Sequence, residues 1–179
     1  MRLSSLLAVV VTLTSICGPE GGIAGPPTPA QVACRECDRV IDRVLRLLPG
    51  RPDAVVVIDT DRSTPALRQA IEDSEGFSTE GQRTVYLRKQ APLFQRALQG
   101  ASVWDYALAC VVWHEMAHIS GASELEAQRR EEELLTQFIL SWKVDATWGL
   151  AYSQRLRKRH PEEPTSRVDD LEAARGKNR

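Results

Sequence analysis

His114, Glu115, Met116, Ala117 and His118 form an HExxH sequence within a strongly apolar stretch. Residues four apart on an α-helix stand one above the other, so His114 and His118 can aim two imidazoles at a single metal ion. Glu115 then projects beside the ion rather than onto it, where it can take a proton from a metal-bound water. Left without partners in an apolar helix these groups would be costly, whereas a bound zinc ion satisfies both imidazoles at once. A catalytic zinc takes three protein ligands and leaves a fourth position for water, so a third ligand is expected after His118. No further histidine lies nearby; the third of the chain is His160.

The run Tyr106 to Trp113 is apolar all round, the mark of a helix buried on most sides. Ser102 caps this motif helix, with Asp105 three residues on in the reciprocal position. Gly121, three residues after His118, ends it through a left-handed cap. Ser123 caps the next helix, with Glu126 closing the box. On that second helix Glu124, Gln128, Glu131, Leu135, Phe138 and Trp142 form one stripe, so Glu124 and Glu131 both face the apolar side and either can reach the metal. If the two helices fold back about Gly121, Glu131 stands level with His114 and Glu124 with His118. Glu132 and Glu133, beside Arg129 and Arg130, read as a solvated face.

Upstream, helical periodicity runs from Cys34 to Leu48 and is stopped by Pro49-Gly50, and Ala54 to Ile58 reads as a buried strand. A turn at Thr60 to Thr64 and a short helix at Ala66 to Ile71 follow. The polar stretch Glu72 to Gln82 reads as a loop, Arg83 to Leu87 as a second strand, and Pro92 to Leu98 as a helix. Downstream, Val144 to Arg159 forms a third long helix that His160-Pro161 stops. Tyr152 within it reads as a packed core tyrosine, although its hydroxyl could also serve an oxyanion. The expected class is α+β, mostly helical, with a small sheet beside the motif helix.

The 179-residue chain carries 23 basic and 24 acidic side chains, a balance that offers no electrostatic case for nucleic acid as a partner. Residues 1–24 have the pattern of a signal peptide, with Arg2 at the start, an apolar run from Leu6 to Ile16 and small residues after it. Cleavage after Cys17 or after Ala24 is expected, leaving an exported chain, secreted or in the cell envelope, with no stable membrane span. Ile16 argues against a lipid anchor on Cys17. Pro26, Pro27 and Pro29 mark a linker over 25–33, one domain spans 34–160, and 161–179 is too polar to fold. The mature chain keeps Cys34, Cys37 and Cys110. Cys34 and Cys37 can close on each other, or one can pair with Cys110. The CxxC spacing is also that of redox pairs, but no strand is expected before it. Cys110, one turn before His114, reads as a small buried hydrophobe rather than a ligand.

The HEMAH motif after two strands resembles the zincin superfamily of zinc metallopeptidases. His114 to Glu124, HEMAHISGASE, has the spacing HExxHxxGxx followed by a third ligand that is typical of metzincins, with Glu124 at the ligand position. Metzincins also have a methionine turn downstream, and this chain has only Met1 and Met116. Glu124-Leu125-Glu126-Ala127 instead matches the ExxA context of gluzincins, whose third ligand is a glutamate on the following helix. The resemblance implies a minimal zincin-like fold binding Zn2+ through His114, His118 and Glu124; with Glu124 as ligand, the spacing leaves Glu131 as a partner for a histidine N–H. It implies hydrolysis of a peptide or protein substrate through a zinc-bound water, with Glu115 as general base. It also implies that substrate joins the sheet at an edge strand, for which Thr84 to Leu87 is the candidate. The rival expectation is a non-catalytic binding or scaffold domain stabilised by zinc.

Overall fold

A computed structural model describes residues 31–159 except Ala33 and Glu80. The expected signal peptide, the tail from 161 and the greater part of the linker lie outside the described residues. Six α-helices and a three-stranded sheet make up the described chain, which is the α+β, mostly helical architecture expected. None of these helices is long and apolar enough to cross a membrane.

Cys34 opens the first helix, α1 (Arg35–Leu45), as its N-cap, and its sulfur accepts the N–H of Cys37. Val40 and Val44 are buried from this helix. Strand β1 (Ala54–Ile58) follows, then a 3-10 turn (Thr60–Arg62) and the short helix α2 (Pro65–Ile71). Strand β2 (Gly76–Ser78) pairs antiparallel with β3 (Thr84–Arg88), which also pairs in parallel with β1, so the sheet order is β1-β3-β2.

This order corrects the expectation at the sheet edge. Thr84 to Leu87 belongs to the middle strand, with both sides occupied, and the edge next to it is β2, inside the stretch read as a loop. Three residues headed by glycine carry no alternation to read, and their strand character comes from pairing with β3. The glycine is also required sterically. A Cβ on Gly76 would lie 2.9 Å from the Tyr86 carbonyl oxygen and 3.0 Å from Leu87 Cδ2.

Helix α3 (Pro92–Leu98) has no side-chain cap at Ala91; instead the buried Glu75 carboxylate accepts the N–H of Leu93 at 3.1 Å. The motif helix α4 (Val103–Ile119) starts at Ser102 with the expected capping box, Asp105 reaching back to the N-cap backbone. Ala107 through Val112 are all buried, because the sheet covers one side of α4 and α1, α3 and α5 pack on others. Arg43 of α1 ties this arrangement together. Its guanidinium donates to both Asp105 carboxylate oxygens, at 2.9 and 3.1 Å, and to the Ala97 carbonyl at 2.8 Å.

Helix α5 (Glu124–Leu140) lies against α4, and α6 (Ala146–Arg159) against α5. The stripe on α5 therefore ends before Trp142. The chain reverses there, with the N–H groups of Lys143 and Val144 bonded to the Phe138 carbonyl. Trp142 has φ +60° and is 93% exposed. Helical periodicity extrapolated the stripe past its end because nothing in the local pattern marks the reversal. Asp145 then caps α6 through the Trp148 N–H. Cys34 and Cys37 form a disulfide with each other, and Cys110 is a buried free thiol.

Candidate metal centre

The end of α4 creates the site. Gly121 takes φ +84°, its N–H bonds the His118 carbonyl and the Ala122 N–H bonds the Ala117 carbonyl, which is a Schellman closure. The reversal brings Glu124, first residue of α5, back over the histidines, while Ser123 caps α5 by accepting the Glu126 N–H at 3.3 Å. The Nε2 atoms of His114 and His118 are 3.1 Å apart. The Glu124 carboxylate faces both, one oxygen 3.5 Å from His114 Nε2 and the other 3.1 Å from His118 Nε2. Ligands held at about 2.05 Å from a tetrahedral zinc stand about 3.3 Å from one another, which the two Nε2 atoms match, and one donor atom from each of the three residues forms a triangle with all its atoms within 4.8 Å. The side chain of Glu124 is 37% exposed and that of His114 13%, so the triangle opens toward solvent on the Glu124 side.

The far sides of both rings are engaged by oxygens. His118 Nδ1 lies 3.1 Å from the Ala122 carbonyl, which the Gly121 turn puts there. His114 Nδ1 lies 3.1 Å from Glu131 Oε2, a close charge contact although the ring N–H points off the direct line. A neutral ring with its proton on Nδ1 turns its Nε2 lone pair toward the Glu124 side, the arrangement a metal ion would require. The two glutamates thus occupy opposite sides of His114, with Glu124 at the converging nitrogens and Glu131 behind. Glu131 is buried and accepts a hydrogen bond at 3.1 Å from the buried Tyr152 hydroxyl, so α6 reaches the centre through Glu131. Tyr152 therefore has its hydroxyl committed behind the histidines and is a core tyrosine, stacked on Trp148.

Glu115 stands outside the triangle. It is buried and accepts a hydrogen bond at 3.0 Å from Ser78 on β2. That link from edge strand to carboxylate was not legible in the sequence, since β2 itself was not. Tyr152 carried more signal, because a buried tyrosine hydroxyl needs a partner.

The charges are strongly coupled. Burial of His114 acts to lower its pKa, yet the carboxylates of Glu124 and Glu131 outweigh it and hold the imidazole at about 10. His118 is also raised, chiefly by its hydrogen bond to Glu124. Glu124 is pushed well below the usual carboxylate range by the two histidines. Burial raises Glu115, with the histidines pulling the other way. Burial also drives the Cys110 thiol up, and the Glu131 charge adds to that, so Cys110 is a poor thiolate donor. The donors present, two imidazoles and one carboxylate with further negative charge behind them, suit a divalent cation of zinc type. Among the described residues, His114, His118 and Glu124 are the group able to hold a metal ion.

Comparison of the chain with models of known protein families finds no match, and no curated protein and no solved structure is significantly similar to it.

Proposed function

We propose that this protein is an exported zinc metallopeptidase of gluzincin type, with Zn2+ held by His114, His118 and Glu124. The observation that carries the reading is the donor triangle, one ligand atom from each of His114, His118 and Glu124 within 4.8 Å of one another, with the carboxylate of Glu115 beside it. A zinc ion there supplies Lewis acidity toward a water and a peptide carbonyl. Glu115, its pKa raised by burial, takes the proton of the attacking water and returns it to the leaving amine. Ser78 holds Glu115 in place. The substrate is a peptide or protein segment, and the edge strand β2 is where extended backbone would meet the site, since Ser78 links that strand to Glu115. Export rests on the signal-like residues 1–24.

The test is metal analysis and a broad peptide-library cleavage assay on the mature chain, with and without chelator. Wild type should carry close to one zinc per chain, as one donor triangle requires. His114→Ala, His118→Ala and Glu124→Ala should lose it, and Glu131→Gln should bind it roughly ten- to a hundredfold more weakly. Glu115→Gln should keep zinc and thermal stability while cleavage falls by about a hundredfold or more. Tight zinc with no cleavage of any library member points to the scaffold domain instead. Full zinc in both histidine variants rules out the centre.

A further inference from the structure

The Cys34–Cys37 disulfide lies outside the metal centre, and three observations distinguish it from a structural staple. It closes a loop of only four residues, the least restrictive cross-link of an unfolded chain, on a helix already anchored by Val40, Val44 and the Arg43–Asp105 pair. Its two cysteines differ in exposure. Cys37 is 1% exposed, whereas Cys34 is half-buried and is followed by the exposed Arg35 and Glu36. Finally, Cys34 sits at the N-cap of α1, where its sulfur accepts the Cys37 N–H at 3.2 Å, a contact equally available to a thiolate.

Among the described residues no strand precedes the CxxC, but an isolated bridge does. Gln31 forms an antiparallel bridge with Ile58, and the Val32 N–H donates to the Val57 carbonyl at 3.0 Å. A segment paired to the sheet therefore leads directly to the cysteines and the helix.

We propose that Cys34 and Cys37 form a thiol–disulfide exchange site for an external thiol or dithiol, with Cys34 the attacking and attacked sulfur and Cys37 the resolving one. In the disulfide form, an incoming thiolate RS– attacks Cys34 Sγ, the Cys34–Cys37 bond breaks, and its electron pair leaves on Cys37 Sγ, which takes a proton from water. A second thiolate attacks the external sulfur of the mixed disulfide, releasing RSSR and leaving Cys34 as the thiolate, which is protonated in turn. The balance is one protein disulfide and two RSH giving one protein dithiol and one RSSR. The reverse sequence reduces an external disulfide. Glu36, whose carboxylate lies 3.9 Å from Cys34 Sγ, opposes a thiolate there. Cys34 therefore owes its role to access and to the Cys37 N–H. Cys110 is fully buried and takes no part.

The experiment incubates the folded full-length mature chain with reduced and oxidised glutathione at a series of ratios, quenches with acid and maps the thiols by alkylation and mass spectrometry. Wild type should be reduced at Cys34 and Cys37 without denaturant, with Cys110 unmodified. Cys37→Ser should accumulate glutathione on Cys34 at least about tenfold faster than Cys34→Ser accumulates it on Cys37. Resistance of the native disulfide until denaturant is added overturns the proposal, as does equal labelling of the two single variants. If either variant fails to fold by circular dichroism, the rate of native wild-type reduction decides alone. The inference is independent of the metal reading, and zinc-free protein should give the same result.

Discussion

At the centre of the site, His114 has carboxylates on both sides, Glu124 3.5 Å from one ring nitrogen and Glu131 3.1 Å from the other. Without metal, these charges keep the imidazole protonated through the neutral range, its pKa raised to about 10. A metal ligand must be neutral, so zinc and the proton compete for the same ring. The sign follows. Lowering the pH favours the protonated ring and weakens zinc binding, and raising it toward the His114 pKa strengthens binding. Zinc binding at neutral pH should therefore release about one proton or more per chain. Calorimetry in buffers of different ionisation enthalpy measures this, and a heat independent of the buffer would contradict the charge arrangement.

Among the elements, the α4–α5 corner and the α5–α6 corner solve the same problem differently. The first uses Gly121 at φ +84°, which glycine adopts without strain, and that turn positions the Ala122 carbonyl on His118. The second puts Trp142 at φ +60° with its side chain 93% exposed, so it bears the cost of a left-handed conformation and gains no packing in return. Trp142→Gly should stabilise the protein by about 0.5–1 kcal/mol, the steric relief outweighing the extra flexibility of the unfolded chain. A melting temperature higher by roughly 2–4 °C would show it; a lower one would mean that the indole makes contacts that matter.

Across the whole molecule, the candidate metal centre depends on α4 being held between the sheet and the other helices. Arg43 and Asp105 carry part of that load where α1, α3 and α4 meet. The Asp105 side chain is 7% exposed and that of Arg43 24%, so Arg43→Met would leave a nearly buried carboxylate without its cation. That change should lower the unfolding free energy by about 3 kcal/mol in a urea titration, while zinc per folded chain stays unchanged. The Arg83–Asp53 pair has a similar 2.9 Å separation but is 71% and 61% exposed. Arg83→Ala should cost less than about 1 kcal/mol, and equal losses in the two variants would refute the distinction by burial.

What could be read from the chain alone is what depends on neighbours within a few residues. The α+β class, the capping box at Ser102 and Asp105, the left-handed stop at Gly121 and the common face of His114 and His118 all follow from helical periodicity and terminal hydrogen bonding, which are local. That Glu124 and Glu131 both face inward was legible for the same reason. Spacing favoured Glu124 at the metal with Glu131 at a histidine N–H but left both within reach, and it is the packing of α5 on α4 that puts Glu124 at the converging nitrogens and Glu131 behind, under the hydroxyl of Tyr152 from α6. The same holds for β2, a strand only because β3 pairs with it, and for Ser78, whose bond to Glu115 spans 37 residues of sequence. It holds too for Cys34, which pairs with Cys37 while Cys110 is enclosed in the core. Contacts between residues distant in sequence have no periodic trace, because their geometry is set by how whole elements bury their apolar faces against one another.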